Sequence, residues 1–238
     1  MTDPTAIKAL TFDTFGTVVD WRSSIVRDFA AFGEKRKLDV DWVSFVDEWK
    51  TAYRPGMEAV RTGATPWMTV DAIYREKLEA LLPRYGLNGL TEVEKTYLNQ
   101  AWHRLDAWPD APAGLSRLKQ RYVISPLSNG DVSCLVNMAK HARLPWDLIL
   151  CAEIFCHYKP DAEVYLGAVR LLGCKPHEVM MVAAHNYDLR AARSHGMRTA
   201  FVARPTEYGP DQKTDLRAEE EWDIVARDFG ELADVLGV

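Results

Sequence analysis

The stretch Ile7-Lys-Ala-Leu-Thr-Phe-Asp13-Thr-Phe15-Gly16-Thr17 decides the fold. Its first six residues are β-leaning and run straight into Asp13 and Gly16, which predicts a strand that ends in a tight turn. Beyond Trp108-Pro109-Asp110 the pattern alternates. Strands are predicted over 122–127, 148–151, 179–183 and 199–202, with an edge strand over 222–225. Helices are predicted over 113–121, 131–141, 162–172, 189–195 and 229–236. Such alternation implies an α/β fold, doubly wound, with a mainly parallel sheet covered by helices on both faces. From Trp21 to Leu105 the apolar residues instead fall at helical spacing, in stripes such as Ile25-Phe29-Phe32 and Ile73-Leu78-Leu81. Pro55, Pro66 and Pro83 punctuate these helices. The reading is an α/β core of residues 1–18 and 108–238 and an inserted all-helical domain of residues 19–107.

Composition narrows the function classes. The 238 residues are 47% hydrophobic and 26% charged, which describes a globular chain rather than a disordered or collagenous one. Thirty-four acidic against 29 basic residues give a net charge of −5, with no general pull toward nucleic acid or anionic lipid. No apolar run approaches the ~20 residues of a membrane helix. The first residues lack a signal peptide's basic end, so the cytoplasm is expected. Cys134, Cys151, Cys156 and Cys174 show no C-x-x-C spacing and read as reduced, mostly buried thiols. The histidines form no zinc motif.

Open parallel sheets place chemistry beyond the carboxyl ends of their strands. The polar residues that follow the predicted strands are Asp13 and Thr17, Ser128 and Asn129, Lys159, then His185 and Asp188. A carboxylate, an amide, an amine and an imidazole–carboxylate pair thus converge on one place.

Four stretches carry a resemblance: Phe12-Asp-Thr-Phe-Gly-Thr17, Leu127-Ser-Asn-Gly130, Tyr158-Lys-Pro-Asp161 and Val182-Ala-Ala-His-Asn-Tyr-Asp188. In order and spacing the chain resembles the haloacid dehalogenase superfamily, with the helical block matching its cap domain. Within it the closer match is to the type II 2-haloacid dehalogenases. Phosphatases of this superfamily carry a second aspartate two residues after the nucleophile; here stands Phe15. They also place paired acids where this chain has Ala183-Ala184. Mg²⁺ wants hard oxygen ligands, and only Asp13 and Asp188 remain, so no metal and no cofactor are expected.

The resemblance implies that Asp13 displaces halide from a short 2-haloacid, forming an ester that water then hydrolyses. It implies L-2-haloacids, with inversion. Lys159 would keep Asp13 ionised. Ser128 would take the substrate carboxylate beside a helix start, and Asn129 would donate to the halide or position the substrate. Thr17 orients Asp13 or serves only the turn. Asp188 either holds Lys159 or activates water. Tyr165 matches a site tyrosine of the dehalogenases, a core tyrosine being the alternative. Phe15 would line the substrate pocket, with Trp49, Tyr53, Trp67 and Met68 completing it from the helical side.

Two departures bear on the halide. Ala183-Ala184-His185 replaces the Ser-Ser-Asn of the better-known type II enzymes, and resembles a subgroup in which some members accept fluorinated acids. His185 with Asn129 would supply the close donors that fluoride needs, or else His185 fills space left by the alanines. Trp49-Lys50 replaces a Trp-Arg pair aimed at the halide, so either Lys50 or Arg54 covers it. The expected partner is a small haloacid, and a homodimer is expected from exposed apolar cap faces. The rival readings are a Mg²⁺-dependent phosphatase of small esters and a non-catalytic binding protein of the same fold.

Overall fold

The structure, a computed structural model, describes residues 6–238. Six strands form one sheet: β1 (Ala9–Phe12), β2 (Val123–Ser128), β3 (Leu150–Cys151), β4 (Val179–Ala183), β5 (Arg198–Val202) and β6 (Ile224–Ala226). All neighbours are parallel and the order is β3-β2-β1-β4-β5-β6. β1 and β4 are buried along their whole length, as continuous apolar strands between two helical layers must be. The chain runs outward from β1 through β2 to β3, then crosses back to β4. The β1–β4 seam is therefore the topological switch point, where open sheets form their crevice.

Five helices lie between β1 and β2: α1 (Trp21–Arg36), α2 (Trp42–Lys50), α3 (Tyr53–Arg61), α4 (Val70–Leu81) and α5 (Glu92–Asn99). Their starts are written in the sequence. Asp20, Asp41, Thr69 and Thr91 each accept a backbone N–H of the first turn, and Thr91 with Glu94 forms a capping box. Phe29, Trp42, Phe45 and Trp49 pack ring on ring at the centre of this block. The block is tied to the rest by Asp131, whose carboxylate accepts from Val70 N at 3.1 Å and Asp71 N at 3.0 Å.

After β1 and this block come α6 (Ala111–Leu118), α7 (Val132–Ala142), α8 (Ala152–Phe155), α9 (Ala162–Leu171), α10 (Asn186–Ser194) and α11 (Phe229–Val235). Three details differ from the sequence reading. The helix expected from 189 starts at Asn186, directly after β4, which puts Asp188 in its first turn. The third strand keeps only two paired residues, because it turns at once into the one-turn α8. Arg54, which Pro55 behind it would place near a helix end, instead lies in the first turn of a new helix. The chain breaks at Thr51-Ala52 and Pro55 sits in the first turn of α3, where its missing N–H costs nothing.

No helix of the described residues is long and apolar enough to cross a membrane. All four cysteines are free; Cys134 and Cys151 are buried, but Cys156 is exposed.

Candidate active site

At the switch point β1 delivers Asp13, whose N–H bonds Val182 O at 3.0 Å and so fixes it beside the end of β4. Its two oxygens have different partners. Oδ1 accepts from Lys159 Nζ at 3.0 Å. Oδ2 accepts from Thr17 Oγ1 at 2.8 Å and lies 2.8 Å from His185 Nδ1. Thr17 is held in turn by Ala184 N at 2.9 Å. Lys159 also binds Asp188, whose other oxygen accepts from Tyr165 Oη at 2.5 Å. These side chains are all nearly or wholly buried.

Burial works against the charges here, but the partners win. Desolvation would raise the Asp13 carboxyl; the Lys159 ammonium, the His185 ring and the Thr17 hydroxyl hold it well below the usual carboxylate range. Desolvation would likewise lower Lys159, and the Asp13 and Asp188 carboxylates outweigh it. Burial would lower His185; Glu207 and Asp13 push it well above the ordinary imidazole value, which favours the charged ring. Asp188 lies above the usual carboxylate value because burial exceeds what Lys159 returns.

Glu207 is the residue that sequence reasoning missed. Its Oε2 lies 2.8 Å from His185 Nε2, and its Oε1 accepts from Trp21 Nε1 at 3.1 Å. It is 2% exposed. It comes from the long loop between β5 and β6, outside all four motifs, and a single sequence offers no spacing signal for it. Arg204 holds that loop in place: its guanidinium grips Asp110 with two 2.8 Å bonds and Nε donates to Thr17 O at 2.9 Å. Gly16 explains why Glu207 fits. It has φ +88°, and a Cβ there would stand 2.1 Å from Glu207 Oε1. Gly16→Ala should therefore lower the unfolding free energy by more than about 1 kcal/mol, read from the denaturant midpoint.

A cavity of about 340 Å³ opens on this cluster, lined by Asp13, Phe15, Lys50, His185 and Glu207 among others. A second, of about 440 Å³, reaches Asn129 and Lys159 from the other side. Tyr53, Arg54 and Tyr187 border both. Lys50 Nζ lies 4.0 Å from the centre of the Tyr53 ring, 5.0 Å from Trp21 and 5.3 Å from Trp102. Burial lowers its pKa to about 8, although Glu207 and Asp13 pull the other way. Arg54 is exposed and lies 5.2 Å over the ring of Tyr187.

Several expected contacts fall elsewhere. Tyr165 borders neither cavity, since it stands behind Asp188 and donates to it. Trp49 is wholly buried inside the helical block, its Nε1 on Tyr74 O at 2.8 Å. Trp67 stacks on Tyr158 at 4.8 Å, and Met68 O accepts from that tyrosine's hydroxyl; neither borders these two cavities. Ser128 Oγ accepts from Gly130 N at 3.1 Å, which leaves its hydroxyl proton to donate. The helix start beyond it is less open than expected, because Val132 N is taken by Glu153 at 2.8 Å. Asn129 Oδ1 accepts from Lys159 N at 2.7 Å and so positions the lysine.

The donor set does not suit Mg²⁺. The place between Asp13 and Asp188 is filled by the Lys159 ammonium, and Ala183-Ala184 add no oxygen ligand. Asp71, His103 and Cys134 also bring ligand atoms within 4.8 Å of one another. There the ring of His103 already bonds Asp71 at 2.7 Å and Asn137 at 3.0 Å.

Fold and cluster define a class: an open parallel sheet with a lysine-bridged aspartate pair at its switch point and a helical block bordering the same cavity. Residues 7–196 match the model of the haloacid dehalogenase-like hydrolases, and the chain belongs to that family. A crystal structure of an L-2-haloacid dehalogenase is 48% identical, with a TM-score of 0.94 over 97% of this chain and 98% of that one. That of a defluorinating L-2-haloacid dehalogenase is 43% identical, with a TM-score of 0.95 over 100% of this chain and 99% of that one. The (S)-2-haloacid dehalogenase 4A of Burkholderia cepacia is 29% identical over 246 residues, covering 96% of this chain and 99% of its own. The resemblance read from the four motifs is borne out.

Proposed function

We propose that the protein hydrolyses short L-2-haloacids to 2-hydroxy acids without a metal ion, and that fluoroacetate is among its substrates. One observation carries the reading: Asp13 is kept ionised by Lys159 and His185 while Phe15 stands where a phosphatase needs an acid. Asp13 Oδ1 attacks C2 and a C–O bond forms as the carbon–halogen bond breaks, the halide leaving with its electron pair. Water adds to the Asp13 carbonyl carbon, and its proton passes to Asp188, the second carboxylate on Lys159. Collapse then releases the hydroxy acid and restores Asp13. The helical block, residues 19–107, acts as the cap that supplies Lys50 and Tyr53; Phe15 of the core flanks the substrate, and Asn129, which borders the second cavity, receives its carboxylate beside the wholly buried Ser128.

The defining experiment is a halide-release screen on fluoro-, chloro- and bromoacetate and 2-chloropropionate with EDTA present. Release unaffected by the chelator supports the reading; phosphate release from p-nitrophenyl phosphate that requires Mg²⁺ supports the phosphatase instead. Both ring nitrogens of His185 are engaged, by Asp13 and Glu207, so fluoride release from wild type that is lost in His185→Asn supports a role for His185 through Asp13 rather than as a direct donor to the halide.

Lys50 gives a pH signature. Its value near 8 means that its charge disappears as pH rises through that point. If the cation draws off the halide, kcat/KM falls above pH 8. Lys50→Arg stays charged and should carry activity to pH 10. A wild-type profile flat from pH 7 to 10 removes Lys50 from the halide site. For assembly, a homodimer is supported by the exposed Val43, Val93 and Tyr97 of the cap and, outside it, by Ile154, Leu166 and Leu171 of α8 and α9, and a monomer in sedimentation at micromolar concentration counts against it.

A further inference from the structure

The two oxygens of Asp13 are not equivalent. Oδ2 carries two donors, Thr17 Oγ1 and His185 Nδ1, each at 2.8 Å, whereas Oδ1 carries Lys159 alone at 3.0 Å. The less encumbered Oδ1 is the one that attacks, so Oδ2 becomes the carbonyl oxygen of the ester and later bears the oxyanion. Its donors are in place before the reaction starts, which is what preorganised stabilisation requires. We infer that Glu207 is a positioning residue for this second half-reaction: through its bond to His185 Nε2 it keeps a charged N–H donor aimed at the oxygen of Asp13 that becomes the oxyanion. The inference rests on the dehalogenase reading above.

The role follows from the order of charges. Before attack His185 lies between two carboxylates, Asp13 and Glu207, at 2.8 Å each. Esterification removes the Asp13 charge, and Glu207 is then the carboxylate left on the ring. The other titratable groups around His185 do not replace it. Lys159 and Asp188 neutralise each other behind Asp13. Lys50 and Arg54 are cations that oppose a charged ring, and Tyr53, Tyr187 and Tyr208 line the cavity as neutral phenols. As water adds to the Asp13 carbonyl carbon, the C=O pair moves onto Oδ2, where Thr17 and His185 receive it. The water proton goes to Asp188. The tetrahedral species collapses as the pair on Oδ2 re-forms the C=O and the bond from that carbon to Oδ1 breaks; Oδ1 leaves as the hydroxyl of the 2-hydroxy acid with the proton returned by Asp188, and the new Asp13 carboxyl, carrying the water oxygen, loses its proton to solvent.

Glu207→Gln keeps the shape and its oxygen can still accept from Trp21, but it lacks the charge, and its amide N–H₂ can donate to His185 Nε2 only when that nitrogen carries no proton. In a rapid-quench assay with chloroacetate, the variant should release about one chloride per subunit in a burst and then turn over roughly 10–100-fold more slowly than wild type. Intact mass should show the ester adduct accumulating on Asp13. Its steady-state rate should fall as pH rises from 6 to 8, where wild type stays level, because the ring now loses its proton in that range. A merely structural role would lower burst and steady state together and leave the pH profile unchanged, and that result overturns the inference. So does a variant with wild-type turnover. If Glu207→Gln does not fold, His185→Gln is read by the same ratio: a retained burst with slowed turnover supports the inference, and a lost burst overturns it. Absence of chloride release from wild type would instead sink the dehalogenase reading itself.

Discussion

Asp13→Asn releases no halide from chloroacetate, a loss expected to exceed about 10³-fold in kcat. The carboxamide has nearly the shape of the carboxylate but no charge to push onto carbon. The fold should tolerate the change, because Lys159 keeps Asp188 and His185 keeps Glu207 as partners. That makes the variant a clean test: lost activity with an unchanged melting temperature isolates the nucleophile. Single turnover of the wild type in ¹⁸O-water should place the label in the Asp13 side chain. Halide release by the variant within ten-fold of wild type would move the nucleophile elsewhere.

Lys159→Met should have the second largest effect, a drop of roughly 10²-fold or more in kcat/KM together with a loss of about 3–5 kcal/mol in stability. Removing the ammonium leaves Asp13 and Asp188 buried with like charge and too few cations. Asp13 then holds its proton to higher pH, since Lys159 is the largest of the effects that lower it. In wild type the depressed carboxyl contributes stability above the unfolded value near 4, lost as pH falls through the folded value. In the variant that loss moves upward, so residual activity should climb between pH 5 and 8 where wild type is level. A variant with wild-type activity and midpoint would show that the ion pair is incidental.

Much of this was legible from the chain alone, because strand-end chemistry is local. Asp13, Thr17, Ser128, Asn129, His185 and Asp188 each lie within a few residues of a strand, and a strand end in an open parallel sheet has one place to point. Lys159 lies eight residues past β3 and was found by its motif. What escaped was set by tertiary packing. Nothing in the spacing of Trp49, Trp67 or Met68 tells that they pack against other side chains rather than border the cavity, since an apolar residue on a helical stripe serves either. Tyr165 was placed one layer too far forward: its side chain reaches the site through Asp188, a distinction of a few ångströms. Glu207 could not be read at all. A buried glutamate in a loop is identified only by the histidine and tryptophan that satisfy it.

The loop that carries Glu207 is anchored through Arg204 to Asp110 and to the carbonyl of Thr17, so stretches far apart in the sequence meet at one spot. A chain under synthesis therefore has Asp13 long before it has Glu207, and His185 gains that partner only once everything through β5 has been made.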